Sequence, residues 1–292
     1  MNYILFMIIF IIVLFIYLHV WYHIKTSNDL EVYNIDNVSK DKLEEILNIR
    51  QPVQFNFNND EINDIFNIDE LNNKYGIFDI KIRDLDNSKN EYEKFLPLTL
   101  NEAINLFKKD KNSKYIMENN MNFLNETTLI KTLKYNDNFL RPTLLFNSKY
   151  DILSGSKNSI TPLRYELNYR NFFYVSHGSI QIKLVPPKFK KYLFSNNDYV
   201  NFEFISPLNL WDIQDKFSNN YNKIKVLDIT LKKGDIIYIP AYWYYTIKYD
   251  DVSIINNFKY KTFMNIISIL PQLFMKLLQQ QNIKLNNFNK IK

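Results

Sequence analysis

Residues 3–21 form an almost unbroken apolar run without a formal charge. At about 1.5 Å per residue, a helix of roughly 20 residues crosses the ~30 Å hydrocarbon core of a bilayer. Trp21 and Tyr22 stand at its end, where membrane-interface aromatics collect. The pattern predicts a single transmembrane anchor over residues 1–23. A cleaved signal peptide is the rival reading. Against it, the run is long for such an apolar region, lacks a basic stretch before it and ends without a small-residue cleavage motif. A buried core helix fits worst, because such helices rarely lack a polar face. Lys25, Lys40 and Lys42 follow the run, and the positive-inside rule then puts the body on the cytosolic side.

Residues 24–40 are polar and short of apolar anchors, and read as a tether. A domain over 41–262 follows. Leu43, Ile46 and Leu47 share a helical face within 42–49, and Val53, Phe55 and Phe57 alternate as one face of a strand over 51–57. A short helix, a turn at Gly76 and a strand occupy 71–82. Thr99 and Glu102 have capping-box spacing ahead of a helix to Phe107. A strand is expected at 115–117.

From Leu140 the chain turns β-rich. Strands are expected at 143–146 and 225–231, with a loop at Ser154-Gly155-Ser156 and a hairpin turn at His177-Gly178. Ile180, Ile182 and Leu184 alternate until Pro186-Pro187 stops the strand. Gly234-Asp235 opens a buried strand that breaks at Pro240 and resumes near Tyr244, which composition alone reads as a core strand pair. Phe263, Ile267, Leu270, Phe274 and Leu277 make a helical stripe over 263–292, split or kinked by Pro271. The stripe either packs on the sheet domain or forms a homodimer interface.

Composition narrows the chemistry. With 292 residues, 46% of them hydrophobic, the chain can bury one sizeable core. The net charge of +5 comes without a dense Lys/Arg stripe, so a nucleic-acid footprint is not indicated. Cysteine is absent, which excludes disulfides, thiolate zinc sites and Cys nucleophiles. Histidine occurs only at 19, 23 and 177, and His177 in its turn reads as solvated. Asp212 and Asp215 read as loop or helix-end residues. The Asn-, Lys-, Ile-, Tyr- and Phe-rich usage suggests an AT-rich genome, such as that of a protist or a large DNA virus. A virion or a host internal membrane is then a conceivable location.

Three segments carry more than composition. They are Thr161-Pro162-Leu163-Arg164-Tyr165-Glu166 with Asn171-Phe172-Phe173 and Pro186-Pro187; Gly234-Asp235-Ile236-Ile237-Tyr238-Ile239-Pro240-Ala241-Tyr242-Trp243-Tyr244-Tyr245; and Asn257-Phe258-Lys259-Tyr260-Lys261. They resemble JmjC/cupin-like 2-oxoglutarate oxygenases, nearest to the asparaginyl-hydroxylase branch. The resemblance covers roughly residues 40–261. It implies a mainly β double-stranded β-helix (jelly roll) with flanking helices, preceded by an α/β region and followed by C-terminal helices.

That family holds Fe(II) with two His and one carboxylate. The resemblance puts these ligand positions on Arg164, Glu166 and Tyr245, of which only Glu166 keeps a carboxylate. Its 2-oxoglutarate-binding Lys falls on Ile180, and its other cosubstrate contacts on Thr161 and Asn257. The expectation is therefore no metal, no cofactor and no catalytic residue. The protein is expected to be a membrane-anchored scaffold or binding module for an unidentified protein partner. One alternative is an Fe(II)/2-oxoglutarate-dependent protein hydroxylase with unusual ligands, and another is a pocket that binds a small carboxylate or sugar without turnover. Arg164 and Glu166 are two apart, so on a strand they face one side. Arg164 is expected to pair with Glu166 inside the barrel, with the Tyr245 hydroxyl joining them.

Overall fold

A computed structural model describes residues 2–36, 38–85 and 95–290, with side chains for 3–36, 38–85 and 95–282. Helix α1 (Asn2–Ile24) comes first. An α/β region follows: β1 (Tyr33–Ile35), α2 (Lys40–Leu47), β2 (Val53–Asn56), α3 (Asp60–Ile65), α4 (Ile68–Tyr75), β3 (Asp79–Asp84), β4 (Phe95–Thr99), α5 (Leu100–Lys109), β5 (Tyr115–Met117), α6 (Met121–Glu126) and α7 (Leu129–Asn136). The β-rich part holds β6 (Leu145–Gly155), β7 (Leu163–Tyr165), β8 (Arg170–His177), β9 (Ser179–Val185), β10 (Asn196–Asp198), β11 (Glu203–Ser206), α8 (Ser218–Tyr221), β12 (Leu227–Lys232), β13 (Asp235–Tyr238), β14 (Tyr244–Tyr249) and β15 (Ile254–Thr262). Helices α9 (Phe263–Ser268) and α10 (Leu270–Lys290) end the described chain.

The strands form a nine-stranded sheet, β1-β2-β13-β8-β15-β6-β5-β3-β4, and a six-stranded sheet, β10-β11-β7-β14-β9-β12. From β6 onward the chain repeatedly crosses between them. Strands β6, β8, β13 and β15 belong to the first sheet, and β7, β9, β12 and β14 to the second. The Gly234–Ile247 stretch is therefore not a paired hairpin, since β13 and β14 lie in opposite sheets. His177-Gly178 is not a hairpin turn either. Gly178 (φ +79°) carries the chain from β8 to β9, and Gly234 (φ +93°) carries it from β12 to β13. Both crossings use a left-handed backbone, which glycine adopts without a Cβ clash.

Period-2 patterning explains why these strands read as continuous apolar runs. In β8, Phe173 and Val175 enter a core between the sheets with Ile182, Leu184, Ile237, Trp243, Tyr245 and Ile247. Their neighbours Phe172 and Tyr174 enter a second core with Leu43, Ile62, Leu71, Ala103, Phe123 and Leu133 from α2–α7. A strand covered on both faces has no polar face to show. Buried Asp137 locks this core by accepting hydrogen bonds from Tyr150 and Tyr260, each at 2.7 Å.

Several local expectations are met. The Thr99 capping box forms, β5 and β9 have the expected extents, and the C-terminal stripe splits into α9 and α10 beside Pro271. Phe263, Leu270, Phe274 and Leu277 of the stripe are exposed. Two more expectations fail. Ser154 and Gly155 belong to β6, held by pairing with Met117 and Ile116. The polar stretch after α1 is not a free tether, because β1 pairs in parallel with β2 and Trp243 Nε1 donates to the Ser27 carbonyl at 3.1 Å.

Helix α1 is long and apolar enough to cross a membrane. Its end is clamped to the body: Arg50 Nη1 donates to the Tyr22 carbonyl at 2.7 Å, and the His23 and Tyr169 rings lie 5.3 Å apart.

Candidate functional site

Strand β7 is only three residues long, yet it joins β11 on one side and β14 on the other. This pairing makes Arg164 and Tyr245 direct cross-strand partners. The Arg164 guanidinium carbon sits 5.7 Å from the Tyr245 ring centroid. Glu166, just past β7, accepts from the Tyr245 hydroxyl at 2.7 Å and from Lys259 Nζ of β15 at 2.9 Å, both on Oε1. Asn168 Nδ2 donates to the other carboxylate oxygen at 2.5 Å. The ligand positions inferred from the resemblance therefore converge, with β15 supplying a further group.

The expected Arg164–Glu166 pair does not form. Arg164 Nη2 instead meets Glu118 Oε2 at 2.5 Å. Arg83 Nε approaches the second Glu118 oxygen at 2.5 Å, and Arg83 Nη2 reaches Glu203 at 2.6 Å. The physical reason is position: Glu118 directly follows β5, which pairs with the end of β6, and its carboxylate projects to the guanidinium before Glu166 can. Arg83, Arg164 and Lys259 thus face Glu118, Glu166 and Glu203, and the network is neutral overall.

Electrostatics follows from this wiring. Burial alone would raise the Glu118 pKa, but the Arg164 and Arg83 charges overcome it and bring it down to about 2. Glu166 is lowered too: burial opposes, and Lys259 and the Tyr245 hydrogen bond prevail. Tyr245 is pushed far up, first by burial and then by the Glu166 charge, so its hydroxyl stays protonated as a donor. Asp151 of β6 is raised by burial, although the backbone N–H groups of Asn119 and Asn120 donate to it.

Except for Arg83 and Asn120, these residues line a cavity of about 350 Å³ that also takes in Asn257, Lys149, Lys261, Phe202 and Lys276. The positions where the resemblance puts the cosubstrate contacts separate. Asn257 lines the cavity, its Nδ2 donating to Asn171 and Phe172. Ile180 is buried in the apolar core between the sheets. The Thr161 hydroxyl accepts from the Ile247 backbone N–H at 2.8 Å, so Thr161 ties β14 to the loop before β7. None of His19, His23 and His177 lines the cavity, and Asp212 and Asp215 lie outside it at exposed positions.

The donor set does not fit Fe(II). A guanidinium offers only N–H donors, the Tyr245 oxygen is committed as a protonated donor, and both Glu166 oxygens are engaged. Among the described residues, no group of three or more His, Cys, Asp or Glu side chains is placed to hold a metal ion. Nor does 2-oxoglutarate find its expected cation, since that position is an apolar core residue. Sequence reading missed Arg83, Glu118, Lys259 and Glu203 as site members. Only Lys259 had a signal, as a neighbour of Asn257 in the final strand motif. The others come from β3, the end of β5 and β11, and carry no local mark.

No curated protein matches the chain in comparison. The model of one family, the cupin-like domain, matches residues 24–266, from the end of α1 to within α9. With most of its length matched, and with both sheets and every cavity residue except those of α10 inside the matched span, this chain belongs to the cupin-like domain family.

Proposed function

We propose that this protein is a catalytically degenerate, JmjC-like member of its family, held at a membrane by α1, and that it serves as a scaffold or binding module rather than an oxygenase. One observation carries the reading: a neutral network of six charged groups fills the place where the resemblance puts the metal. Arg164 is paired with Glu118 there, and Glu166 with Tyr245 and Lys259, so the barrel needs no ion to stay folded. The alternation of strands between two sheets supports a double-stranded β-helix, and the motifs at Thr161–Pro187 and Gly234–Lys261 support a likeness to the asparaginyl-hydroxylase branch.

Single-pass anchoring with a cytosolic body fits the 22-residue apolar span of Tyr3–Ile24 and the lysines that follow it. The exposed side chains of Leu270, Phe274 and Leu277 support self-association through α10. The test is elemental analysis of the purified full chain, combined with an assay for succinate formed from 2-oxoglutarate. Neither stoichiometric metal nor succinate is expected.

A further inference from the structure

The cavity has an inner part where charges cancel and an outer part where they do not. At the mouth stand Lys149 from β6, Lys261 from β15 and Lys276 from α10. The acids deeper in are engaged: Glu118 and Glu203 by arginines, Glu166 by Lys259, and Asp151 by the backbone N–H groups of Asn119 and Asn120. Among the described residues, no carboxylate pairs with Lys149, Lys261 or Lys276. Lys261 and Lys276 instead each place Nζ 5.4 Å from the Phe202 ring centroid. Burial, and then repulsion by Lys149, Lys259 and Lys276 against the attraction of Glu166, brings the Lys261 pKa down to about 8. Three secondary-structure elements therefore hold like charges together around a cleft, a geometry that focuses potential on whatever enters.

We propose that this mouth is a receptor for an oxyanion, and that the cavity takes a small hydroxylated molecule bearing a phosphate or carboxylate group, gripped by Lys149, Lys261 and Lys276. Its volume of about 350 Å³ lies at the small end for ligand sites. The hydroxyl requirement comes from the inner wall. Asn257 Oδ1 and Arg164 Nε are buried without hydrogen-bond partners. A hydroxyl group can donate to the first and accept from the second, which neither an ammonium group nor a hydrocarbon does. The gripping lysines are not at the position that the resemblance gives the cosubstrate cation, which is Ile180 in the apolar core. The inference deepens the binding-module reading and rests on it, but the two fail separately. Stoichiometric metal would end that reading and leave an anion receptor standing, whereas a mouth without anion affinity would leave the metal-free body unchanged.

The test is calorimetric titration of the full chain in nonionic detergent at pH 7. The probes are ribose 5-phosphate and citrate, with ribose as the uncharged control. Saturable binding of at least one anion and none of ribose is expected, and the better probe tells a phosphate source from a carboxylate source. Lys261→Met combined with Lys276→Gln should weaken binding by about tenfold or more, as expected when charge-assisted contacts are removed. Lys131→Gln with Lys134→Gln, at exposed positions of α7 outside the cavity, should leave it unchanged. Affinity should also fall between pH 7 and pH 9 as Lys261, facing Lys149, Lys259, Lys276 and Glu166, loses its proton. That profile on the unmodified chain decides the matter if the double variant does not fold. No saturable binding of either anion up to about 10 mM, a range weaker than specific sites show, would overturn the proposal. So would wild-type affinity in the mouth variant, or affinity that does not change with pH.

Discussion

The wiring of Arg164 can be tested by two thermodynamic cycles that share one substitution. Arg164→Met removes the guanidinium and keeps most of the side-chain volume. Glu118 then loses one partner at 2.5 Å but keeps Arg83 at 2.5 Å. Stranding a buried charge completely costs about 3–5 kcal/mol, so half-stranding it should cost about 2–3 kcal/mol. Glu118→Leu should cost more, about 3–4 kcal/mol, because Arg164 is left without its hydrogen-bonded carboxylate and Arg83 retains only Glu203. The double variant strands neither charge and should cost no more than Glu118→Leu alone, a coupling of about 2–3 kcal/mol. The second cycle replaces Glu118→Leu with Glu166→Gln. Glu166 is held by Tyr245 and Lys259, not by a hydrogen bond from Arg164, so its coupling should stay below about 1 kcal/mol. Denaturant unfolding in detergent, followed by the fluorescence of fully buried Trp243, reads both. Stronger coupling to Glu166 than to Glu118, or additivity in the first cycle, would refute the network.

Acid stability should report Glu118 directly. Its folded pKa lies below its ordinary value, so the stabilisation is fully present above pH 4.5 and is lost as pH falls toward about 2. The drop corresponds to about 3 kcal/mol, and Glu118→Gln should flatten that limb of a stability-versus-pH curve. Truncation separates anchor from clamp. Removing residues 1–17 should release the body from membranes in a flotation assay, and persistent membrane association would mean the anchor lies elsewhere. Removing 1–23 also takes the Tyr22 carbonyl from buried Arg50, and thermal unfolding should show a further loss of about 1.5–3 kcal/mol, the usual worth of a hydrogen bond to a charged group.

How much of this was legible in the sequence depended on whether the signal was local. The α5 cap, the alternation of β9 and the break at Pro240 are written within a few residues of themselves, and the structure follows them. Ser154 and Gly155 look like loop residues, but the ladder to β5 extends β6 through them, just past the end of its ladder to β15. Residues 33–35 are too few to show a periodic pattern, and their strand is held by backbone pairing with β2, which composition does not record. The same divide runs through the site. Arg164, Glu166, Tyr245 and Asn257 were found from motifs and do meet at one cavity. Glu118, 46 residues from Arg164, and Arg83, 120 residues from Glu203, become partners only through the sheet. With Glu118 out of view, Glu166 was the sole carboxylate in sight for Arg164.

The claim that this cupin-like body works without iron has one direct measurement. The full chain, purified in detergent under anaerobic conditions with Fe(II) supplied and excess metal then removed, should be analysed for bound iron, manganese and zinc. The wiring of Arg164, Tyr245 and Glu166 predicts metal far below one equivalent per chain, and no change in thermal unfolding when Fe(II) is added. About one equivalent of iron, retained through desalting as coordination by three protein ligands requires and lost in Glu166→Ala, would contradict the account.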